Sequence, residues 1–232
     1  MPTCSTIHVL ATAGFKEAYI ELVPQFERAS GHRIVTTWAT TIDIVQRVQA
    51  GEVTDMVVMS GEAVDQLIAA GKLAQGSRAD VATSWVAVAV KQGAAKPDIS
   101  SGDALKRALL AAPSIAYSKG PSGVYLVGLF ERWGISAQLA SKVKQVTGEP
   151  IGGLVARGEA QIGFQQMSEL LPIAGIDILG GLSKDIEYIT AFATGRHALA
   201  HAPVAQAADA LTAFFKTPTA HALIRTKGMG PA

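Results

Sequence analysis

The stretch Ser114-Ile-Ala-Tyr-Ser-Lys-Gly-Pro-Ser-Gly-Val-Tyr125 predicts a short buried strand, a tight polar turn and the start of a helix. Backbone N–H groups in the first turn of a helix have no internal partner and lie at the positive end of the helix dipole, so they can bind an anion. Hydroxyl groups of Tyr117, Ser118 and Ser122 can add hydrogen bonds, and Gly123 lets a ligand approach the backbone. Serine and glycine also serve at such turns purely as caps, and one turn alone leaves both interpretations open.

Three units of the same kind lie nearer the start of the chain. Strands are predicted at 7–12, 32–38 and 55–59, each followed by an amphipathic helix, and Pro24 predicts a kink or a break in the first of these helices. Such alternation implies parallel strands, and ligands of open parallel sheets bind beyond the carboxyl ends of the strands. Those ends carry small or hydroxyl-bearing residues: Thr12, Ala13, Gly14, Thr40, Thr41 and Ser60.

The domain organisation follows from two long apolar strands, predicted at 83–91 and 187–194. They enclose a middle portion with its own alternation of strands and helices. We therefore predict an α/β fold with two lobes, of which lobe 1 is discontinuous and comprises 1–82 and 195–232, while lobe 2 comprises 83–194. Two hinge crossings would leave a central cleft that closes around a ligand.

Composition narrows the classes of function. Hydrophobic residues make up 49% and charged residues 17% of the 232 residues, which is typical of a globular protein. The formal net charge of +1, with no block of Lys or Arg, and the 6% aromatic content argue against a nucleic-acid partner. Cys4 is the single cysteine, and the spacing of Cys and His matches no metal site, so we expect no metal and no cofactor.

Several runs of sequence resemble the substrate-binding proteins of molybdate-type ABC transporters. They are Val9-Leu-Ala-Thr-Ala-Gly14, Phe26-Glu-Arg-Ala-Ser-Gly-His32, the run 48–58, Ala69-Ala-Gly-Lys-Leu73, Ser118-Lys-Gly-Pro-Ser-Gly-Val-Tyr125 and Val155-Ala-Arg-Gly-Glu-Ala-Gln-Ile-Gly163. The resemblance covers nearly the whole chain. It implies the two-lobed type II periplasmic-binding-protein fold.

The resemblance also implies where a ligand would bind. Members of the family hold an oxyanion with hydroxyls and backbone N–H groups at helix starts, together with a tyrosine from the second lobe. The first-lobe serine falls on Gly14, which has no hydroxyl, whereas Thr40 or Thr41 keeps the second hydroxyl, and the tyrosine position holds Gln166. In lobe 2 the resemblance further implies Ser122, Gly123 and the backbone of Ile151. The predicted ligand-binding residues of this lobe also include Tyr117, Ser118, Val124 and Gln165.

Two functions stay open from the sequence. The first is a solute-binding protein that closes over a small anion, either an oxyanion such as molybdate or an organic carboxylate. The second is a cofactor-free isomerase of a polycarboxylate, similar to aconitate isomerase, with Tyr117, Lys119, Glu149, Glu62 and Arg196 as candidate groups near the cleft. A carboxamide at position 166 suits a ligand with carboxylate or hydroxyl groups better than a bare oxyanion. A sensor module is a third reading.

Partners and location are expectations of the same kind. We expect a small anionic ligand, an ABC transporter permease as a partner of the binding protein, and a monomer. The chain begins without a signal peptide and enters a strand at once, which predicts a cytoplasmic protein, or a periplasmic one if a signal has been removed.

Overall fold

The computed structural model describes residues 4–232, which divide into two compact units. Unit 1 comprises the described residues up to Thr83 together with Ala191–Ala232, and unit 2 comprises Ser84–Thr190. The chain passes from unit 1 into unit 2 within the strand Ala79–Lys91 and returns within the strand Ile189–Arg196. The boundaries predicted from the sequence, at 82/83 and 194/195, fall in these same two strands.

Strands and helices alternate through most of the chain. The strands are β1 (Thr6–Ala11), β2 (Arg33–Trp38), β3 (Met56–Ser60), β4 (Ala79–Lys91), β5 (Ile115–Ser118), β6 (Val143–Val146), β7 (Ile162–Gln166), β8 (Ile176–Gly181), β9 (Ile189–Arg196) and β10 (Gly230–Pro231). The α-helices are α1 (Lys16–Ser30), α2 (Thr41–Gln49), α3 (Gly61–Ala69), α4 (Gly102–Ala111), α5 (Pro121–Arg132), α6 (Ser136–Leu139), α7 (Ile151–Arg157), α8 (Met167–Leu170), α9 (Ala202–Phe215) and α10 (Pro218–Thr226). Short 3₁₀ helices cover Ala13–Phe15 and Lys184–Ile186.

The sheet of unit 1 has the order β2-β1-β3-β9. β1 pairs in parallel with β2 and β3, as the alternation predicted, and β9 pairs with β3 in the antiparallel sense. The core on one face contains residues of α1 and α9, and the ring of Phe15, directly before α1, meets that of Phe215 of α9 edge to face with 5.4 Å between the centroids. The parallel arrangement places the ends of β1 and β3, and the helix starts that follow them, at one edge of the sheet.

The sheet of unit 2 has the order β4-β7-β5-β6, and β8 also pairs with β4. β5 pairs in parallel with both β6 and β7 and matches Tyr117 to Phe164. Leu105, Leu126 and Phe164 are fully buried in its core. Parallel pairing brings the carboxyl ends of β5 and β7 to the same edge, where α5 and α8 begin.

Helix ends follow local sequence. The hydroxyl of Thr40 accepts the backbone N–H of Asp43 at 3.1 Å and caps α2. Gly31 and Gly158 end α1 and α7 in the left-handed conformation, with φ of 76° and 77°. The predicted break at Pro24 is wrong, since α1 runs unbroken from Lys16 to Ser30. Within residues 4–232, we find no helix with the length and apolar character needed to cross a bilayer.

Candidate functional site

Gly14 lies under an aromatic ring in unit 1. It follows β1 in the 3₁₀ turn Ala13–Phe15 and is buried, and a Cβ atom built on it would overlap the Phe192 ring and lie 2.6 Å from its Cε1 atom. Phe192 itself is 2% exposed, so the ring has little room to move aside. The hydroxyl missing from this position therefore cannot be supplied by a simple serine replacement.

We expect Gly14→Ser to lower the free energy of unfolding by about 1–3 kcal/mol, because the added side chain overpacks a close contact. Chemical denaturation measures the change. The cost should shrink when the same substitution is made in a Phe192→Leu background, where the ring is absent. A Gly14→Ser protein as stable as the wild type would contradict this account of the site.

The other predicted ligand-binding residues of unit 1 differ in burial and in the hydrogen bonds that their side chains make. Thr40 acts as the cap of α2, whereas Thr41, the first residue of that helix, is 7% exposed and its hydroxyl has no hydrogen-bond partner among residues 4–232. Thr12 and Ser60 are buried and precede helices, but neither side chain makes a capping hydrogen bond. Ala13 is exposed. Thr41 is thus the hydroxyl of unit 1 that a ligand would satisfy.

The first turn of α5 in unit 2 presents the Ser122 amide. Pro121 has no N–H, and the N–H groups of Gly123 and Val124 both donate to the carbonyl of Gly120, at 2.9 and 3.1 Å. The Ser122 N–H, at the second position of this 12-residue helix, has no acceptor within its own helix and is the donor that a ligand would use. The Ser118 hydroxyl accepts the N–H of Gly120 at 3.4 Å, and the Val124 side chain is 62% exposed.

Gly123 makes a close packing contact with the end of β5. A Cβ atom on Gly123 would overlap the carbonyl oxygen of Ser118 and lie 2.9 Å from its carbonyl carbon. The first turn of α5 thus rests directly on the end of β5. This close contact requires a glycine at position 123, while the predicted approach of a ligand to its backbone stays a prediction.

The start of α7 is occupied by a side chain of β7. The Ile151 N–H, implied by the resemblance to bind the ligand, donates to the Gln165 Oε1 atom at 2.9 Å. The Gln165 Nε2 atom in turn donates to the Glu169 Oε1 atom, also at 2.9 Å. Gln165 therefore connects an amide to a carboxyl group, and both of its polar ends are used within unit 2.

Glu169 is the polar residue of this group that sequence reasoning missed. It lies in the first turn of α8, and its carboxylate also accepts the backbone N–H of Gln166. Burial raises the pKa of Glu169 to about 7, against which the hydrogen bonds from Gln165 and Gln166 act only in part. The spacing of Gln166 and Glu169, cap residue and third helical residue, is the sequence signal that predicts such a contact.

Only one end of the Gln166 carboxamide makes a hydrogen bond within residues 4–232. Its Nε2 atom donates to the Thr190 hydroxyl at 2.7 Å, while its Oε1 atom is buried without a partner in residues 4–232. Because a threonine hydroxyl donates as well as accepts, turning the amide over would preserve the bond to Thr190 and free the NH₂ group instead. Gln166 can therefore offer either an acceptor or a donor to a ligand.

Aromatic side chains near the ends of β5 and β2 pack against other rings. Tyr117 is 6% exposed, packs edge to face on Phe130 at 6.0 Å, and has its pKa raised by burial, so its hydroxyl stays neutral. Trp38 packs edge to face on Tyr19 at 5.3 Å in unit 1. Across residues 4–232 no three His, Cys, Asp or Glu side chains are grouped so as to hold a metal ion.

Comparison with known proteins places the chain in a family. The family model described as bacterial extracellular solute-binding protein matches residues 7–230. The chain belongs to this family. The solved periplasmic molybdate-binding protein of Azotobacter vinelandii superposes with a TM-score of 0.77 at 18% identity, covering 96% of this chain and 98% of that one. The predicted two-lobed periplasmic-binding-protein fold and the predicted molybdate-type relationship are both confirmed.

Two curated relatives have different functions. An aconitate isomerase from Pseudomonas sp. is 38% identical over 233 residues, which cover 98% of this chain and 88% of the relative. The molybdate-binding protein ModA of Azotobacter vinelandii is 26% identical over 238 residues, covering 97% and 89%. The solute-binding protein is thus similar to one enzyme and one binding protein of the same fold.

Proposed function

We propose that this protein binds a tricarboxylate of the aconitate class and interconverts its cis and trans isomers. One observation carries the proposal: two of the donor positions implied for an oxyanion, Gly14 and Ile151, offer no free donor. By the resemblance, the first-lobe serine falls on Gly14, which lies beneath Phe192, and the Ile151 N–H already donates to Gln165. The resemblance also sets Gln166 at the tyrosine position, and its amide suits a carboxylate or hydroxyl group. The relative at 38% identity supports aconitate as that organic anion.

The reaction requires only a proton transfer. Aconitate has a methylene group and a vinylic C–H group, each next to a carboxylate and separated by the central carbon. Removal of a methylene proton gives a delocalised dienolate, and protonation at the former vinylic carbon moves the double bond, so one C–H bond breaks and another forms. The protein must supply a base and donors for the enolate oxygens.

Donors suited to those oxygens are available in unit 2. The Ser122 N–H lies at the positive end of the α5 dipole, and the preceding loop carries the exposed cation of Lys119. Gln166 adds a carboxamide that can turn its NH₂ group outward. Such neutral donors, together with one cation, can hydrogen-bond to the carboxylate oxygens over which the negative charge of the dienolate is delocalised.

A ligand screen followed by NMR tests the proposal. Aconitate at about 100 times its Kd should raise Tm by roughly 5–10 °C, because binding to the native state at that ratio contributes about 2.7 kcal/mol. Incubation with pure trans-aconitate should then give the cis isomer in ¹H NMR spectra, at a rate proportional to protein concentration. Stabilisation by molybdate or tungstate, with none by aconitate, would contradict the proposal.

Removing one hydroxyl should weaken binding. We expect Ser122→Ala to raise Kd for aconitate about fivefold to tenfold, which corresponds to about 1 kcal/mol for one neutral hydrogen bond. Calorimetric titration measures Kd. Ser136→Ala, a substitution at an exposed serine at the start of α6, serves as the control and should leave Kd unchanged. Equal affinities for the two variants would place the ligand away from the α5 N-terminus.

A second candidate is a binding protein without catalysis, which delivers a small oxyanion to an ABC transporter permease outside the cytoplasm. The buried Thr41 hydroxyl favours it, because this hydroxyl lacks a partner in the described chain and lies at the start of a nine-residue helix, as an oxyanion site requires. The relationship to ModA also supports it. Binding of aconitate with no conversion in the NMR assay would favour this candidate in a carboxylate-specific form, and fractionation of cells would test its location.

A further inference from the structure

The first turn of α8 carries the carboxyl group of Glu169, at the edge of the unit 2 sheet where α5 and α8 begin. Glu169 follows β7 by three residues, and β7 pairs in parallel with β5, so Glu169 and the α5 N-terminus lie beyond the carboxyl ends of neighbouring strands. Glu169 is half-buried as a residue, and its carboxyl group is the more deeply buried part of it. Its Oε1 atom is held by Gln165 at 2.9 Å, and Gln165 is itself fixed by the Ile151 N–H.

Few charged side chains lie on the elements packed against α8. β7 has none, α7 has Arg157, β8 has Asp177, and β4, whose Ser84 hydroxyl lies 3.4 Å from that of Ser168, has Asp80 and Lys91. Asp80 is paired with Arg78 at 2.9 Å, and Lys91 is exposed at the far end of β4 from Ser84. Arg157 is paired with Glu149 at 2.5 Å and Glu159 at 2.6 Å, and Asp177 is paired with Lys96 at 3.3 Å. Because burial is opposed only by neutral hydrogen bonds, the pKa of Glu169 rises to about 7, where a general base can both take and return a proton.

The base candidates chosen from the sequence fit this task less well. Glu149 is held by Arg157, and the Tyr117 hydroxyl has its pKa raised further from neutrality. Arg196 is a cation paired with Asp209 at 3.1 Å and cannot accept a proton. Glu62 and Lys119 are exposed to solvent. Glu169 alone among these carboxyl and amine groups combines partial burial, fixed hydrogen bonds and a position at the edge where α5 begins.

We propose that Glu169 is the catalytic acid–base residue of the isomerisation, and this inference rests on the proposed function. The ionised carboxylate takes a proton from the methylene carbon of aconitate and becomes a neutral acid. The C–H electron pair enters the dienolate. The same carboxylic acid then returns the proton to the former vinylic carbon and is again a carboxylate, so one residue completes the cycle without a cofactor. Gln165 is a positioning residue that fixes the carboxyl group.

Glu169→Gln tests the proposal directly. The amide keeps an oxygen for the hydrogen bonds from Gln165 and Gln166 but cannot take a proton, so kcat for conversion of trans-aconitate should fall about 100-fold or more, while KM stays within about threefold. Solvent deuterium incorporation into bound aconitate, followed by NMR in D₂O, should fall in parallel. Glu131→Gln, at an exposed carboxylate of α5, is the matched control and should keep wild-type kcat.

The outcomes separate the two proposals. If the wild type converts aconitate and Glu169→Gln does so within threefold of its kcat, the assignment of Glu169 is overturned and the proposed function stands. If the wild type binds aconitate but neither converts it nor exchanges its protons, the proposed isomerase and this inference both fail. The wild-type pH profile is independent of any folding defect in the variant: kcat should rise through about pH 7, whereas a rise centred below pH 5 would exclude Glu169.

Discussion

Replacing Gly123 by alanine is expected to lower the free energy of unfolding by about 3 kcal/mol or more. The added methyl group would overlap the carbonyl oxygen of Ser118, and this oxygen belongs to the backbone of a buried strand that pairs on both sides. A flexible side chain could turn away, but a paired strand cannot. Urea denaturation of the variant and the wild type measures the loss.

The matched control lies on the same helix. Gly128 is also in α5, and a Cβ atom on it would lie 3.6 Å from the Nη1 atom of Arg132, which is the end of a flexible side chain. Gly128→Ala should therefore leave stability unchanged or raise it by up to about 1 kcal/mol, since alanine favours a helix over glycine. If the free energy of unfolding of Gly123→Ala is within about 1 kcal/mol of the wild-type value, the start of α5 can move away from β5 at little cost, which contradicts the close contact described here.

The stability of the wild type should depend on pH through Glu169. Its pKa is raised in the folded protein to about 7 from an ordinary value of 4.5, so the folded state binds more protons than the unfolded state between these values. Stability from this group is therefore fully present below about pH 4.5 and is lost as pH rises through 7. A displacement of this size corresponds to a loss of about 3 kcal/mol.

Glu169→Gln isolates this contribution from those of other titrating groups. Free energies of unfolding of wild type and variant, measured by denaturant between pH 5 and pH 8.5, should diverge as pH rises, with the variant the more stable at high pH. Glu131→Gln is again the control, and the difference between its free energy of unfolding and that of the wild type should not grow as the pH rises. Parallel curves for wild type and Glu169→Gln would mean that the carboxyl group is well solvated in the folded state.

Much of the fold was predictable because it depends on local signals. The glycines that end α1 and α7 have positive φ and stand where the hydrophobic pattern stops, and Thr40 caps α2 as its position before an apolar run predicts. Pro24 misled the prediction because a proline within a helix can be tolerated when surrounding residues hold the helix in place.

The candidate site was predictable only as a set of positions. The missing hydroxyl at Gly14 is visible in the sequence, but the Phe192 ring that fills the space comes from a strand about 180 residues away, a distance set by the tertiary fold alone. The bond from Ile151 to Gln165 and the pKa of Glu169 likewise depend on three elements that meet in space. The side chains predicted for the ligand site stay a prediction until a ligand is bound.

The Gln165 carboxamide at the start of α7 acts as a built-in competitor. A small inorganic anion can bind the Ile151 N–H only by displacing the Gln165 oxygen, which then loses its hydrogen bond. A longer organic anion bound at the start of α5 can leave this hydrogen bond intact. Selectivity against simple inorganic ions would then arise from an interaction that the empty protein already makes with itself.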